Sequence, residues 1–181
     1  GPVVDFRLKE HLRDQPEDEC VPLLYPAHFA DQTLEWPKPG GKKPNALKLN
    51  GDTRKWVFPA GHYAVTRRFS SKEERRRIVA ATVDPSRVPS DWLGFENHLN
   101  VFHQGKRGLP EDLALGLAAY LNSTMVDAHF RRFSGHTQVN ATDLRRLRYP
   151  SRTPLEALGR WTKAQDNASQ AALDEKIQGL A

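Results

Sequence analysis

A chain of 181 residues, 38% hydrophobic and 27% charged, is long enough to bury a core and too short for two full domains. No apolar run approaches the roughly 20 residues that span a bilayer, which excludes a membrane partner. The first seven residues lack a charged-then-apolar secretory pattern and the single cysteine, Cys20, has no partner in the chain, so a reducing cytoplasm is the expected compartment for this protein of net charge +5.

After a short mixed segment and the acidic interruption Pro16-Glu17-Asp18-Glu19, the apolar run at 21–25 predicts a buried strand that ends at Pro26. Residues 26–50 carry Pro37, Pro39, Gly40, Gly41 and Pro44 among lysines and are expected to form a loop that orders on binding. Trp56-Val57-Phe58 and residues 63–69 predict two strands joined across Pro59-Ala60-Gly61, with Tyr63, Val65, Arg67 and Phe69 on one face of the second. Residues 70–77 have enough charge to open a helix, but the β-leaning run at 78–83 favours a charged turn between two strands. Residues 94–102 predict one more strand, in which Phe95, Leu99 and Val101 are imperfectly in phase.

From Leu109 the hydrophobic period changes from two to about 3.6, and Leu113, Leu117, Tyr120 and Leu121 form one stripe behind Pro110. Asn122-Ser123 should stop this helix and cap the next, where Val126, Phe130 and Phe133 recur at helical spacing. A short helix follows at 141–147, then two more at 154–161 and 169–180. The expected class is α+β: a β-rich first two-thirds, mostly antiparallel or mixed, followed by a cluster of helices. Residues 1–153 would form the main domain and 154–181 a helical extension.

Catalytic chemistry has no visible carrier. There is no Gly-x-Ser-x-Gly elbow, and Cys20 lies in an acidic, Pro-flanked stretch. His98, His103, His129 and His136 match no zinc spacing, and no acidic cluster suits a metal-dependent nuclease. A Gly-rich strand-to-helix turn for a nucleotide or S-adenosylmethionine is missing, as is an Asn-Pro-Pro-Tyr tetrapeptide that grips an extruded adenine. The expectation is no catalytic residue, no metal and no cofactor in this chain.

Recognition chemistry remains. Residues 38–77 hold twelve Lys or Arg against three acidic residues, while the rest of the chain holds fifteen basic and nineteen acidic. Such a surplus suits a polyanion-binding face, because each phosphate neutralised releases counterions; a solvated basic surface is the equal alternative. Candidate DNA ligands are Lys42, Lys43 and Lys55 in and after the Pro-rich loop, then Arg67 and Arg68 beside Tyr63 and Phe69. Lys72, Arg75 and Arg76, with Arg77, extend the set as phosphate or guanine ligands. Thr137 and Gln138 join two helices, where their side chains either fold back on the backbone or face DNA. Around them, Asn140 and Asp143 have the spacing of a reciprocal helix cap, and Gly135 suits a helix-ending conformation.

Ala119-Tyr120-Leu121-Asn122-Ser123-Thr124, and the run Phe130-Arg131-Arg132-Phe133-Ser134-Gly135-His136-Thr137-Gln138-Val139-Asn140-Ala141-Thr142-Asp143-Leu144-Arg145-Arg146-Leu147, resemble the C-terminal recognition region of restriction-modification adenine methylases. The order of elements is also similar to target-recognition domains of type I specificity subunits. Shorter matches are Val3-Val4-Asp5-Phe6-Arg7, Arg67-Arg68-Phe69-Ser70-Ser71-Lys72-Glu73-Glu74 and Asn97-His98-Leu99-Asn100-Val101. The resemblance implies a parent enzyme that methylates adenine N6 with S-adenosylmethionine, its catalytic domain lying N-terminal to Gly1 and its target duplex DNA. This chain would choose the sequence. The alternative is a helical module that docks on a methyltransferase or restriction subunit without touching DNA.

Overall fold

The computed structural model describes residues 2–165 and 168–180; among them ten strands come first and five α-helices follow, the mixed α+β order that the change of period predicts. β2 (Cys20–Leu24) forms at the apolar run and is buried from Val21 onward. It pairs antiparallel with β5 (Ala46–Lys48) and parallel with β9 (Trp92–Phe95). β1 (Leu12–Arg13) and β6 (Val57–Pro59) complete a five-stranded mixed sheet of order β1-β5-β2-β9-β6. In a second, antiparallel sheet β7 (Tyr63–Arg67) lies between β10 (Leu99–Phe102) and β8 (Ala80–Val83).

Alternation along β7 divides the core. Tyr63 and Val65 pack with Phe58, Leu93 and Phe95 of the first sheet, whereas Ala64 packs with the helices. The three-stranded sheet is therefore the middle layer, with a sheet on one side and helices on the other.

The strand expected at 94–102 is two strands in different sheets, because the chain turns at Glu96, whose carbonyl accepts from Leu99 N at 2.9 Å. The imperfect phase of Phe95, Leu99 and Val101 is the trace of that break. β6 and β7 do not pair with each other either; the Pro59-Ala60-Gly61 link carries the chain from one layer to the next.

Residues 26–50 are not the wholly irregular loop that their Pro and Gly content suggests. They hold a tight hairpin, β3 (Phe29–Ala30) and β4 (Thr33–Leu34), and then β5. The buried Asn45 ties the Pro-rich part down: its Oδ1 accepts from Lys38 N at 2.8 Å and contacts His28 Nε2 at 2.9 Å. Its Nδ2 donates to Asp14 O and Lys38 O, and its carbonyl accepts from Trp36 Nε1 at 2.7 Å. One amide side chain thus supplies partners that the irregular backbone lacks.

α1 (Glu111–Leu121) starts behind Pro110, with Glu111 and Asp112 at the positive end of its dipole. α2 (Thr124–Phe133) is capped by Ser123, whose Oγ accepts from Val126 N at 3.2 Å. Asn122 does something else. Buried at the end of α1, it accepts from Ala80 N and donates to Ala80 O, both at 2.9 Å, and so pairs with β8 as a neighbouring strand would. At α3 (Ala141–Arg146) the expected reciprocal cap is not made: Asn140 has no side-chain cap bond, and Asp143 is buried with Oδ2 facing His136 Nε2 at 3.7 Å. Gly135 is not the expected left-handed stop: among the described residues the glycines with positive φ are Gly40 and Gly105, and α2 ends with Ser134 extended.

α4 (Arg152–Lys163) lies on α1 with the backbones in contact. A Cβ on Gly116 would sit 1.8 Å from the Leu155 carbonyl oxygen, and one on Gly159 would sit 1.8 Å from that of Asp112. α5 (Gln170–Gln178) adds Leu173 and Ile177 to the cluster that holds Leu117, Phe130, Leu155 and Leu158. Since the obstructing atoms are backbone, Gly116→Ala or Gly159→Ala must push the helices apart, and each is expected to destabilise the fold by about 3 kcal/mol. Gly51→Ala, where a Cβ meets nothing within 4 Å, is the matched control and should leave the urea midpoint almost unchanged. Midpoints that are equal in all three variants would show that the helices are not in backbone contact.

Candidate nucleic-acid interface

The connection between β7 and β8 is the charged turn that the sequence predicts, and most of its backbone is held by named side chains. Glu74 accepts from Ser71 N at 3.0 Å and from the Arg67 guanidinium; the backbone bond first and Arg67 second hold its carboxyl below its ordinary range, against burial. Arg131 of α2 donates to Lys72 O at 2.9 Å and Glu74 O at 2.8 Å. Asp127, one turn earlier, accepts from Arg77 N at 2.7 Å, Ile78 N at 3.0 Å and Arg131 Nε at 2.7 Å. Burial pushes the Asp127 carboxyl up, but Arg131 and the two amides outweigh it and the net shift is downward.

Arg77, read from sequence as a phosphate ligand, is only 1% exposed and is unable to meet DNA. Its guanidinium lies 5.5 Å from the Phe130 ring centroid and donates to Ser70 Oγ at 3.0 Å and to His136 O at 2.5 Å, with Ser134 O at 3.4 Å. These bonds fasten the segment after α2 against the β7–β8 turn. Ser70 N then donates to Thr137 O at 3.0 Å, Val139 N donates to Arg68 O at 2.7 Å, and Phe69 and Gln138 form an antiparallel bridge. Thr137 and Gln138, about seventy residues away in sequence, are thereby placed beside Arg68, Phe69 and Ser70.

The sequence-contiguous basic stretch is divided by the fold. Arg67 is paired with Glu74, and Arg68 donates to Asn97 Oδ1 at 2.8 Å, so both are half-buried and engaged. Arg76 is half-buried and donates to Thr124 Oγ1 at 3.3 Å. Lys72 and Arg75 are exposed, and no ion pair among the described residues involves either of them or Arg76. Lys42 and Lys43 are exposed on the Pro-rich loop, with Lys43 Nζ 3.4 Å from Asp5 and 5.1 Å from the Tyr25 ring centroid. Lys55 is exposed on a third segment, where its carbonyl accepts from Lys106 Nζ at 2.8 Å. The structure therefore joins the β7–β8 turn, which carries Lys72, Arg75 and Arg76, to the Thr137–Gln138 segment beside Arg68 and Phe69 as one ridge; it lines a separate hollow with Arg67 and Arg76, and gives Lys42, Lys43 and Lys55 other neighbours.

Sequence reasoning missed Asn97 and His98, which reach this ridge from the β9–β10 turn. His98 packs 5.2 Å from the Phe69 ring centroid, and its Nδ1 lies 2.8 Å from the buried Glu96 carboxylate. The signal available was the polar triplet Glu96-Asn97-His98 inside an otherwise apolar run. Chemically the ridge presents cations, amides and one half-exposed aromatic, and no nucleophile–base pair is apparent in it.

The chain is 54% identical over 181 residues to the type II methyltransferase M.BsuBI of Bacillus subtilis, and 48% identical over 156 residues to the type II methyltransferase M.PstI of Providencia stuartii. It resembles one part of a type II methyltransferase. The alignments cover 99% and 86% of this chain but 36% and 31% of those relatives, so it spans about a third of their length. No family model matches the chain, and no solved structure matches it.

The ridge depends on Asp127, which gives a pH test. Its carboxyl is lowered from 3.8 in the folded state, so its stabilisation is complete above that value and is lost as pH falls through the folded value. Asp127→Asn should destabilise by about 1–3 kcal/mol at neutral pH, and the gap to the wild-type chain should close in acid below about pH 4. Urea titrations across that range measure it; a gap independent of pH would mean that the charge of Asp127 is not what holds the turn.

Proposed function

We propose that this chain is the DNA target-recognition module of an S-adenosylmethionine-dependent adenine-N6 DNA methyltransferase of a restriction-modification system. The observation that carries the proposal is 54% identity along nearly the whole chain to about a third of a type II methyltransferase. The ridge supports the same reading, because exposed cations, amides and an aromatic on a rigid scaffold suit phosphate positioning and base readout.

Catalysis and cofactor binding belong, in this proposal, to the part of the parent protein that this chain does not match. The residues present do not fit S-adenosylmethionine. Among the described residues the parallel strand pair is β2–β9, and the chain between them passes through other strands and short 3-10 turns, with no α-helix starting at a strand end to receive the cofactor. Residues 1–153 are assigned to recognition and 154–181 to a helical extension that braces it through α1. The compartment proposed is the bacterial cytoplasm, where the target DNA lies. Among the described residues no helix is long and apolar enough to cross a membrane.

Lys72 and Arg75 are the proposed phosphate ligands of the ridge, with Thr137 and Gln138 the nearest candidates for base edges. Arg67 braces the β7–β8 turn through Glu74 and Arg68 the β9–β10 turn through Asn97, so each acts as much in holding a turn as in binding. Selection from random duplexes should enrich one short site; uniform salt-sensitive retention without enrichment would sink the claim of specificity. The double variant Lys72→Glu and Arg75→Glu should keep the unfolding midpoint, weaken binding to that site and reduce the salt slope by about 2. An unchanged slope would move the DNA elsewhere, towards Lys42, Lys43 and Lys55.

A further inference from the structure

Phe69 is 42% exposed, and the fold does not need its side chain: it belongs to no core cluster, and its bridge to Gln138 is made by backbone. An apolar ring left half in water at a strand end is common by itself. What surrounds this one is built. The His98 ring lies 5.2 Å away, tilted 45°. His98 is 46% exposed in its side chain, yet it is fixed from below by Glu96, which is 1% exposed and accepts from His98 N at 2.9 Å besides meeting Nδ1 at 2.8 Å. On another side the Arg68 guanidinium stands 6.0 Å from the Phe69 centroid, itself anchored by Asn97 Oδ1 at 2.8 Å. A buried carboxylate is costly, and here it meets the backbone N–H and the ring of one exposed residue beside one exposed aromatic. The buried Glu96 thus fixes the His98 ring and the half-buried Asn97 fixes the Arg68 guanidinium, both beside the exposed Phe69.

We propose that Phe69, backed by His98, is a stacking wedge for a nucleobase. It enters the duplex at a base step and takes the place of a stacked neighbour, while Arg68 and Gln138 flank it. The chemistry follows from its parts. Aromatic faces and guanidinium planes stack on bases irrespective of sequence, and an apolar wedge between base pairs unstacks and bends the duplex. Rigidity matters because a ring free to rotate would lose that freedom on insertion. This inference rests on the DNA-recognition reading above and adds the contact that deforms the duplex.

The test uses the short duplex enriched by selection, and copies in which one nucleotide of the site is replaced in turn by an abasic residue. A wedge gains wherever the unstacking is already done, so one abasic position should bind about tenfold tighter than the intact duplex. Phe69→Ala should abolish that preference while keeping the unfolding midpoint, and Phe69→Trp, which retains a stacking face, should restore it. Two outcomes would overturn the wedge alone: a wild-type chain that binds the intact site but prefers no abasic position, or a Phe69→Ala chain that keeps the preference. If selection enriches no site at all, the recognition reading fails and the wedge falls with it.

Discussion

The buried guanidinium of Arg77 and the carboxylate of Asp127 hold together the turn that carries Lys72 and Arg75 and the segment that carries Thr137 and Gln138. Removing an ion from water costs several kcal/mol even after relaxation, and such a group persists inside only when its hydrogen-bonding capacity is met. Arg77 meets it with Ser70 and the carbonyls of Ser134 and His136, above the Phe130 ring. Asp127 meets it with two amides of the turn and with Arg131. Between them they connect the β7–β8 turn, α2 and the segment that follows α2; the turn and that segment form one surface because both are bonded to Arg77.

That surface stands on the middle sheet, and the middle sheet stands on the helices. β8 borrows a strand-like partner from Asn122, a single side chain at the end of α1. α1 in turn is held by α4 at a distance that only glycine permits at positions 116 and 159. The chain of support runs from the α4–α1 crossing through Asn122 and Asp127 to Lys72, Arg75, Phe69 and Gln138. Recognition residues on loops gain precision only from such support, since a loop without it has to be ordered by its ligand.

The charge of the ridge is smaller than the sequence count suggests, and better placed. Arg67 is largely cancelled by Glu74, and Arg77 is inside. Lys72 and Arg75 remain in solvent on the connection that also carries Phe69. Cations without ion-pair partners suit the phosphate positioning proposed for this face. The chain is similar to about a third of the length of two type II methyltransferases.

Sequence alone determined the order of the layers. The run at 21–24, the alternation at 63–67 and the helical stripe from Leu113 to Leu121 are local periodicities, and local periodicity reports which face of an element is covered. The capping role of Ser123 was legible for the same reason, being a contact three residues long. Partnership is not local. Whether 94–102 is one strand or two, whether β6 pairs with β7, and whether Asn122 caps a helix or completes a sheet depend on what lies across the layer, many residues away in sequence. The same holds for the site. The basic stretch at 38–77 and the pair Thr137-Gln138 were visible as residues, but a buried guanidinium and a solvated one have the same letter. Only packing, which decides where water is excluded, separates Arg77 from Arg75 and brings Phe69, His98 and Gln138 to one face.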